Sequence, residues 1–206
     1  MNAEEGSRVA NRIQGLRRPT VPVLLGLIAV PALAADLLDV TVEKEGDRYT
    51  MASRTYFEAP PEAVFRVLSD YDRFERISSI FEDVRFIAPA TDGTPRAYTL
   101  LKGCVLFFCK TIERIEELHF TPHSRIVAEV EPEHSDFAYG RTEWRFVPSG
   151  TGTEVHYRMD MEPGFWVPPL IGPYVMKRSF RSDAVEALER IEALALSDDR
   201  DREPAS

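Results

Sequence analysis

Cysteine and histidine are scarce: the 206 residues hold only two cysteines, Cys104 and Cys109, and four histidines. So few soft ligands exclude a multi-cysteine zinc or iron–sulfur domain. His119 and His123 are four apart but flank Thr121-Pro122, which breaks any helix that could aim both at one ion. His134 and His156 read as solvated loop and strand residues, so no metal is expected. Basic residues are also short, with 25 Lys and Arg against 34 Asp and Glu and a formal net charge of −9. After residue 18 they cluster only as short pairs. Such a surface repels a phosphate backbone, which excludes nucleic acid as a partner. Neither a Gly-x-Ser-x-Gly elbow nor a glycine-rich phosphate loop occurs, so no nucleophile and no cofactor is implied.

A long apolar run is missing as well. The uncharged stretch Val21 to Ala34 falls short of the ~20 residues that a spanning helix needs. It follows Arg8, Arg12, Arg17 and Arg18 and ends in Ala32-Leu33-Ala34 before Ala35-Asp36. A basic segment, a short apolar core and small residues at a cut site describe an export signal. Residues 1–34 are therefore expected to be a cleaved signal peptide and the location periplasmic. An uncleaved membrane anchor is the alternative.

What the chain does have is alternation. Glu154 to Glu162 sets Val155, Tyr157, Met159 and Met161 against Glu154, His156, Arg158, Asp160 and Glu162. Arg141 to Val147 sets Thr142, Trp144 and Phe146 against Arg141, Glu143 and Arg145. Period two with one polar face predicts an antiparallel sheet covered on one side. Further strands are expected at 38–43, 48–58, 81–88, 96–102 and 125–131, with a hairpin at Glu45-Gly46-Asp47. Lys110 to Leu118 is ambiguous, because Ile112, Ile115 and Leu118 have a helix-like period. It is read as strand from its hairpin-like neighbours. Ala59-Pro60-Pro61-Glu62 opens a short helix, which Asp70-Tyr71-Asp72 ends. After Pro173, Met176, Phe180, Ala184, Ala187, Leu188, Ile191, Leu194 and Ala195 recur at helical spacing. That long stripe needs a broad surface to lie on. Residues 198–206 read as a polar, disordered tail.

The order strand, Ser53-Arg54-Thr55-Tyr56-Phe57-Glu58-Ala59-Pro60-Pro61-Glu62-Ala63-Val64-Phe65, helix, Asp70-Tyr71, many strands and a long last helix resembles the START-like, or SRPBCC, superfamily. The resemblance is to its polyketide cyclase/dehydrase and coenzyme Q-binding START branch. It implies an α+β helix-grip fold over residues 35–197, in which a curved antiparallel sheet wraps the last helix around an apolar cavity. The extra hairpin strand at 38–43 and the export signal depart from the cytosolic and mitochondrial members. Members bind lipids, quinones, sterols or polyketides, and some are enzymes.

On that fold, Trp144, Phe146, Tyr157, Met159, Met176, Phe180 and Ala184 are expected to line or border the cavity. Antiparallel neighbours put alternate hairpin tips at opposite ends, so the tips at 103–109 and 132–137 and the crossover at 163–173 should meet at the mouth. They carry Val105, Leu106, Phe107, Phe108, Phe137, Phe165 and Trp166, an apolar set suited to peripheral membrane contact. Cys104 and Cys109 are expected to face each other across a tip as a disulfide, with two buried thiols on one strand as the alternative. Arg114 and Glu116 face the cavity if Ile112 and Leu118 do. A cyclase would use such groups for proton transfer, whereas a salt pair that shapes the cavity is the preferred reading. The favoured function is carriage of an apolar small molecule such as a lipid or quinone. The alternatives are an aromatase/cyclase-type enzyme and a ligand-free membrane-docked interaction module.

Overall fold

The computed structural model describes residues 36–105, 108–167 and 184–197. Eight strands form one antiparallel sheet: β1 (Asp36–Glu45), β2 (Arg48–Phe57), β3 (Phe81–Ile87), β4 (Arg96–Val105), β5 (Phe108–Thr121), β6 (Arg125–Val130), β7 (Phe137–Ser149) and β8 (Gly152–Pro163). Their spatial order is β1-β2-β8-β7-β6-β5-β4-β3. Strands from β3 to β8 each pair antiparallel with their neighbours in sequence. The first hairpin, β1–β2, instead docks on the last strand, with Tyr49 opposite Met161 and Phe57 opposite Thr153. Gly46, at φ 59°, makes the tight β1–β2 turn, a backbone conformation that costs glycine little. The expected strand at 38–43 thus begins earlier, and the ambiguous segment at 110–118 lies inside β5.

The alternation of β7 and β8 becomes two unlike faces. Phe146, Val155, Met159 and Met161 are buried, while Arg145, His156 and Arg158 are exposed on the other side. Between β2 and β3 the chain crosses the covered face as helix α1 (Pro61–Ser69) and a 3-10 segment (Tyr71–Ile77). Pro61 sits in the first helical turn, where its missing amide hydrogen is not needed. Ala63, Val64, Val67 and Leu68 of α1 turn inward, as do Tyr71, Phe74 and Ile77. Asp70 ends α1 and pairs with Arg73 at 2.6 Å and Arg76 at 3.2 Å, the helix stop that Asp70-Tyr71-Asp72 suggests.

Residues 184–197 are helical and supply Ile191 and Ala195 to the same core, with Leu188, Leu194 and Leu196 half-buried beside them. Fully burying each larger aliphatic chain contributes ~1.5–3 kcal/mol, so this stripe holds the helix on the sheet. Glu192, also buried, accepts the Glu58 amide at 2.8 Å and ties the helix to the end of β2. The stripe alone did not foretell that carboxylate. The stretch expected to be a signal peptide, the expected tail, Leu106, Phe107, Met176 and Phe180 lie outside the described residues. No helix among the described residues is long and apolar enough to cross a membrane.

Candidate functional site

The covered face carries two apolar clusters. One gathers Phe57, Val64, Leu118, Phe146, Val155 and Ile191 around α1 and the last helix. The other gathers Tyr49, Met51, Phe137, Met159 and Met161 at the opposite end of the strands. Polar groups fall between them. On β5, Arg114 and Glu116 occupy the inward positions between Ile112, packed on the second cluster, and Leu118 in the first. On β8, Tyr157 stands between Val155 and Met159.

Arg114 Nε lies 3.0 Å from Glu116, whose side chain is 1% exposed. Burial raises the Glu116 pKa, against the opposing pull of Arg114 and of Thr99. The carboxyl therefore holds its proton to higher pH than an ordinary glutamate. Tyr71, buried on the 3-10 segment, feels the same charges. Burial raises its pKa, the Glu116 charge adds to that, and Arg114 opposes it. Burial likewise raises Tyr157, with Arg114 opposing and Glu116 adding. Both phenols are thus hydroxyl donors throughout the physiological range. Tyr157 donates to the Met159 sulfur at 3.2 Å, and its ring packs on Trp144 with centroids 5.6 Å apart. A guanidinium, a buried carboxyl and two phenols inside an apolar wall can hydrogen-bond a carbonyl or hydroxyl oxygen on an otherwise apolar molecule.

The expected lining residues do not form one uniform set. Trp144 and Tyr157 border the polar band. Phe146 instead packs edge-on against Phe65 of α1 at 5.6 Å, within the first cluster, and Met159 belongs to the second. Ala184 is half-buried at the start of the described helix. Arg114 and Glu116 do face inward with Leu118. Tyr71, assigned by sequence to a helix stop, is buried just after α1, with its ring stacked on Phe74 at 5.0 Å, and feels the charges of both.

Among the described residues, the parts of the segments expected to share one end meet. Gly164 donates its amide to the Asp136 carbonyl and Asp136 donates to that of Glu113, both at 2.8 Å. The Lys110 ammonium stands 4.0 Å from the Phe165 ring centroid. Val105 and Phe108 are register partners at the ends of β4 and β5, as are Cys104 and Cys109. No free cysteine occurs among the described residues. Trp166 is 77% exposed. Phe137 departs from expectation: it is only 5% exposed, so it does not face solvent or a membrane. A register shift between Phe137 and Tyr139 turns it under the sheet, against the second cluster and the half-buried Phe165. The β1–β2 turn also lies at this end, since Tyr49 pairs with Met161.

His119 and His123 stand on β5 and in the turn after it. His123 has φ 59° and packs edge-on against Phe65 at 5.7 Å. His156 lies 2.7 Å from Glu154 on the exposed face, and His134 lies 3.3 Å from Glu131.

The family model described as polyketide cyclase / dehydrase and lipid transport matches residues 48–195. No match was found among curated proteins. Among solved structures, human STARD10 superposes with a TM-score of 0.59 at 16% identity, over 81% of this chain and 75% of that one. A START superfamily protein from Mycobacterium smegmatis gives 0.57 at 16% identity, over 70% and 98%. The Zhui aromatase/cyclase from a Streptomyces species gives 0.56 at 15% identity, over 77% and 99%. These likenesses establish the helix-grip fold, an eight-stranded curved antiparallel sheet with a C-terminal helix.

Proposed function

Because the chain belongs to the polyketide cyclase / dehydrase and lipid transport family, we propose that its START-type ligand-binding domain carries an apolar small molecule bearing an oxygen function. The observation behind this reading is the polar group of Arg114, Glu116 and Tyr157 set between two apolar clusters, with the buried Tyr71 in the first of them. Buried polar groups of this kind weaken a core unless something answers them, and a lipid or quinone oxygen fits. The carrier works in the periplasm after removal of residues 1–34, a reading supported by the basic stretch and the Ala32-Leu33-Ala34 site. In that oxidising compartment the register partners Cys104 and Cys109 form a disulfide. The mouth meets a membrane surface, where the exposed Trp166 suits the lipid–water boundary.

The deciding experiment is extraction of the protein isolated from its host, with mass spectrometry of what comes off. One oxygen-bearing apolar compound near equimolar amount supports the carrier. An empty protein that also fails to take up added quinones and lipids overturns it. The same sample gives the N-terminus, expected at Ala35.

A second reading, an aromatase/cyclase-type enzyme, draws on Glu116. Burial raises the pKa of this carboxyl, which stands 3.0 Å from Arg114 Nε, and its protonated form would be the acid that delivers a proton to a carbonyl oxygen. Turnover of a polyketide-like substrate, lost in Glu116→Gln with binding retained, would favour it.

A further inference from the structure

At the end where Gly164 and Asp136 meet lies a recess built from the β1–β2 turn and the chain just after β8. It has a volume of about 370 Å³, and Lys44, Asp47, Tyr49, Glu162, Phe165 and Trp166 are among its walls. Tyr49 is 1% exposed, yet its hydroxyl has no hydrogen-bond partner among the described residues. Such a group is costly to bury unless something in the recess answers it. The Lys44 ammonium hydrogen-bonds the Gly46 carbonyl and stands 5.3 Å from the Tyr49 ring centroid. Tyr49 and Lys44 thus offer two donors to an anionic oxygen.

The remaining walls have the opposite preference. Asp47 is exposed in the turn, and Glu162 shares its charge with Arg48 at 3.9 Å. The rings of Tyr49, Phe165 and Trp166 can accept a cation on their faces. A simple anion would be drawn by Lys44 and repelled by the two carboxylates, and a simple cation would meet Lys44. A group carrying both signs on a short linker satisfies both walls. The recess opens beside Trp166, which is 77% exposed.

We propose that this recess is a receptor site for a zwitterionic phosphate–ammonium group, the headgroup of a phospholipid in the facing membrane. The phosphate takes the Tyr49 hydroxyl and the Lys44 ammonium, and the ligand's ammonium lies among Asp47, Phe165 and Trp166. This rests on the reading that the mouth meets a membrane. It adds which lipid is recognised and explains how an acidic protein docks without an anionic surface.

Two measurements test it on the protein isolated from its host. Calorimetric titration compares glycerophosphocholine and glycerophosphoethanolamine with choline and inorganic phosphate. Co-sedimentation compares vesicles of zwitterionic lipid with vesicles of anionic lipid. Either zwitterion should bind, and the separate ions should not. Tyr49→Phe, which keeps the ring, should weaken binding about tenfold, the loss expected when a hydrogen bond to a charged group is removed. Asp47→Asn, in an exposed turn, should weaken it several-fold without disturbing the fold. Binding of the soluble zwitterions without vesicle binding would sink the membrane reading and leave the receptor site standing. Vesicle binding indifferent to headgroup and to both variants would overturn the receptor site and leave docking intact. Binding of phosphate alone, equal to that of the zwitterions, would also overturn it.

Discussion

Arg114 Nε stands 3.0 Å from the Glu116 carboxylate on the covered face of β5, where the apolar core is interrupted. A buried pair recovers little more than its own desolvation, so its presence points to a task other than holding the sheet together. The raised pKa of Glu116 gives that pair a pH signature.

Above its ordinary value of 4.5 the folded Glu116 still binds a proton that the unfolded chain has lost. Its contribution to stability is therefore full below that pH and declines as pH rises through the folded pKa. Melting wild type and Glu116→Gln from pH 4 to pH 8 should show the difference moving in favour of the glutamine variant as pH rises above 4.5 and levelling off once the folded carboxyl has ionised. A constant difference would mean that the carboxyl is not shifted.

Glu143, on the exposed face, should behave in the opposite sense. Burial would raise its pKa, but Arg125 at 3.0 Å, Arg145 at 2.8 Å and Arg141 at 3.0 Å bring it down to about 2. The stability it supplies is present above pH 4.5 and lost as pH falls towards 2. Glu143→Gln should cost about 1–2 kcal/mol at neutral pH, allowing for the solvent around the arginines. Urea melts should show that gap closing between pH 4.5 and 2.

Gly152 begins β8 where it crosses the end of β2. A Cβ there would lie 2.1 Å from the Phe57 carbonyl oxygen and 2.7 Å from the Tyr56 hydroxyl. Backbone cannot step aside as a side chain can, so Gly152→Ala should cost about 1–3 kcal/mol. Chemical denaturation should show a lower midpoint with an unchanged slope. A neutral result would mean that β8 can slide on β2.

A bridge between Cys104 and Cys109 closes a small loop and should contribute ~2 kcal/mol. Intact mass should rise on alkylation only after reduction, and reduced protein should melt at a lower temperature. Two thiols that alkylate without reductant would count against the bridge.

Where the chain follows a simple period, the fold was legible. β8 and β7 alternate because one face is wet, and the described helical stripe keeps its spacing because one side lies on the sheet. β5 was read correctly as strand, but its period was ambiguous because its inward positions include Arg114 and Glu116. With charges facing in, Ile112, Ile115 and Leu118 mimic a helical period although Ile115 points to the other face. Tyr71 was hidden differently, since its role depends on how α1 folds back over the sheet. Phe137 read as exposed because its tip is short and apolar, and a register shift that no local pattern marks buries it. The docking of β1–β2 on β8 was equally silent in sequence, so the recess around Tyr49 could not be anticipated.

That docking has a consequence for how the domain is made. β2 emerges early but finds its partner only once the chain has been synthesised through Met161. Until then its ladder groups face solvent as an open edge, and β7 on the far side waits for the same strand. Pairing across such a separation is slow. Synthesis or proteolysis that stops short of Gly152 therefore leaves two half-sheets with unsatisfied borders, each a template for the wrong neighbour.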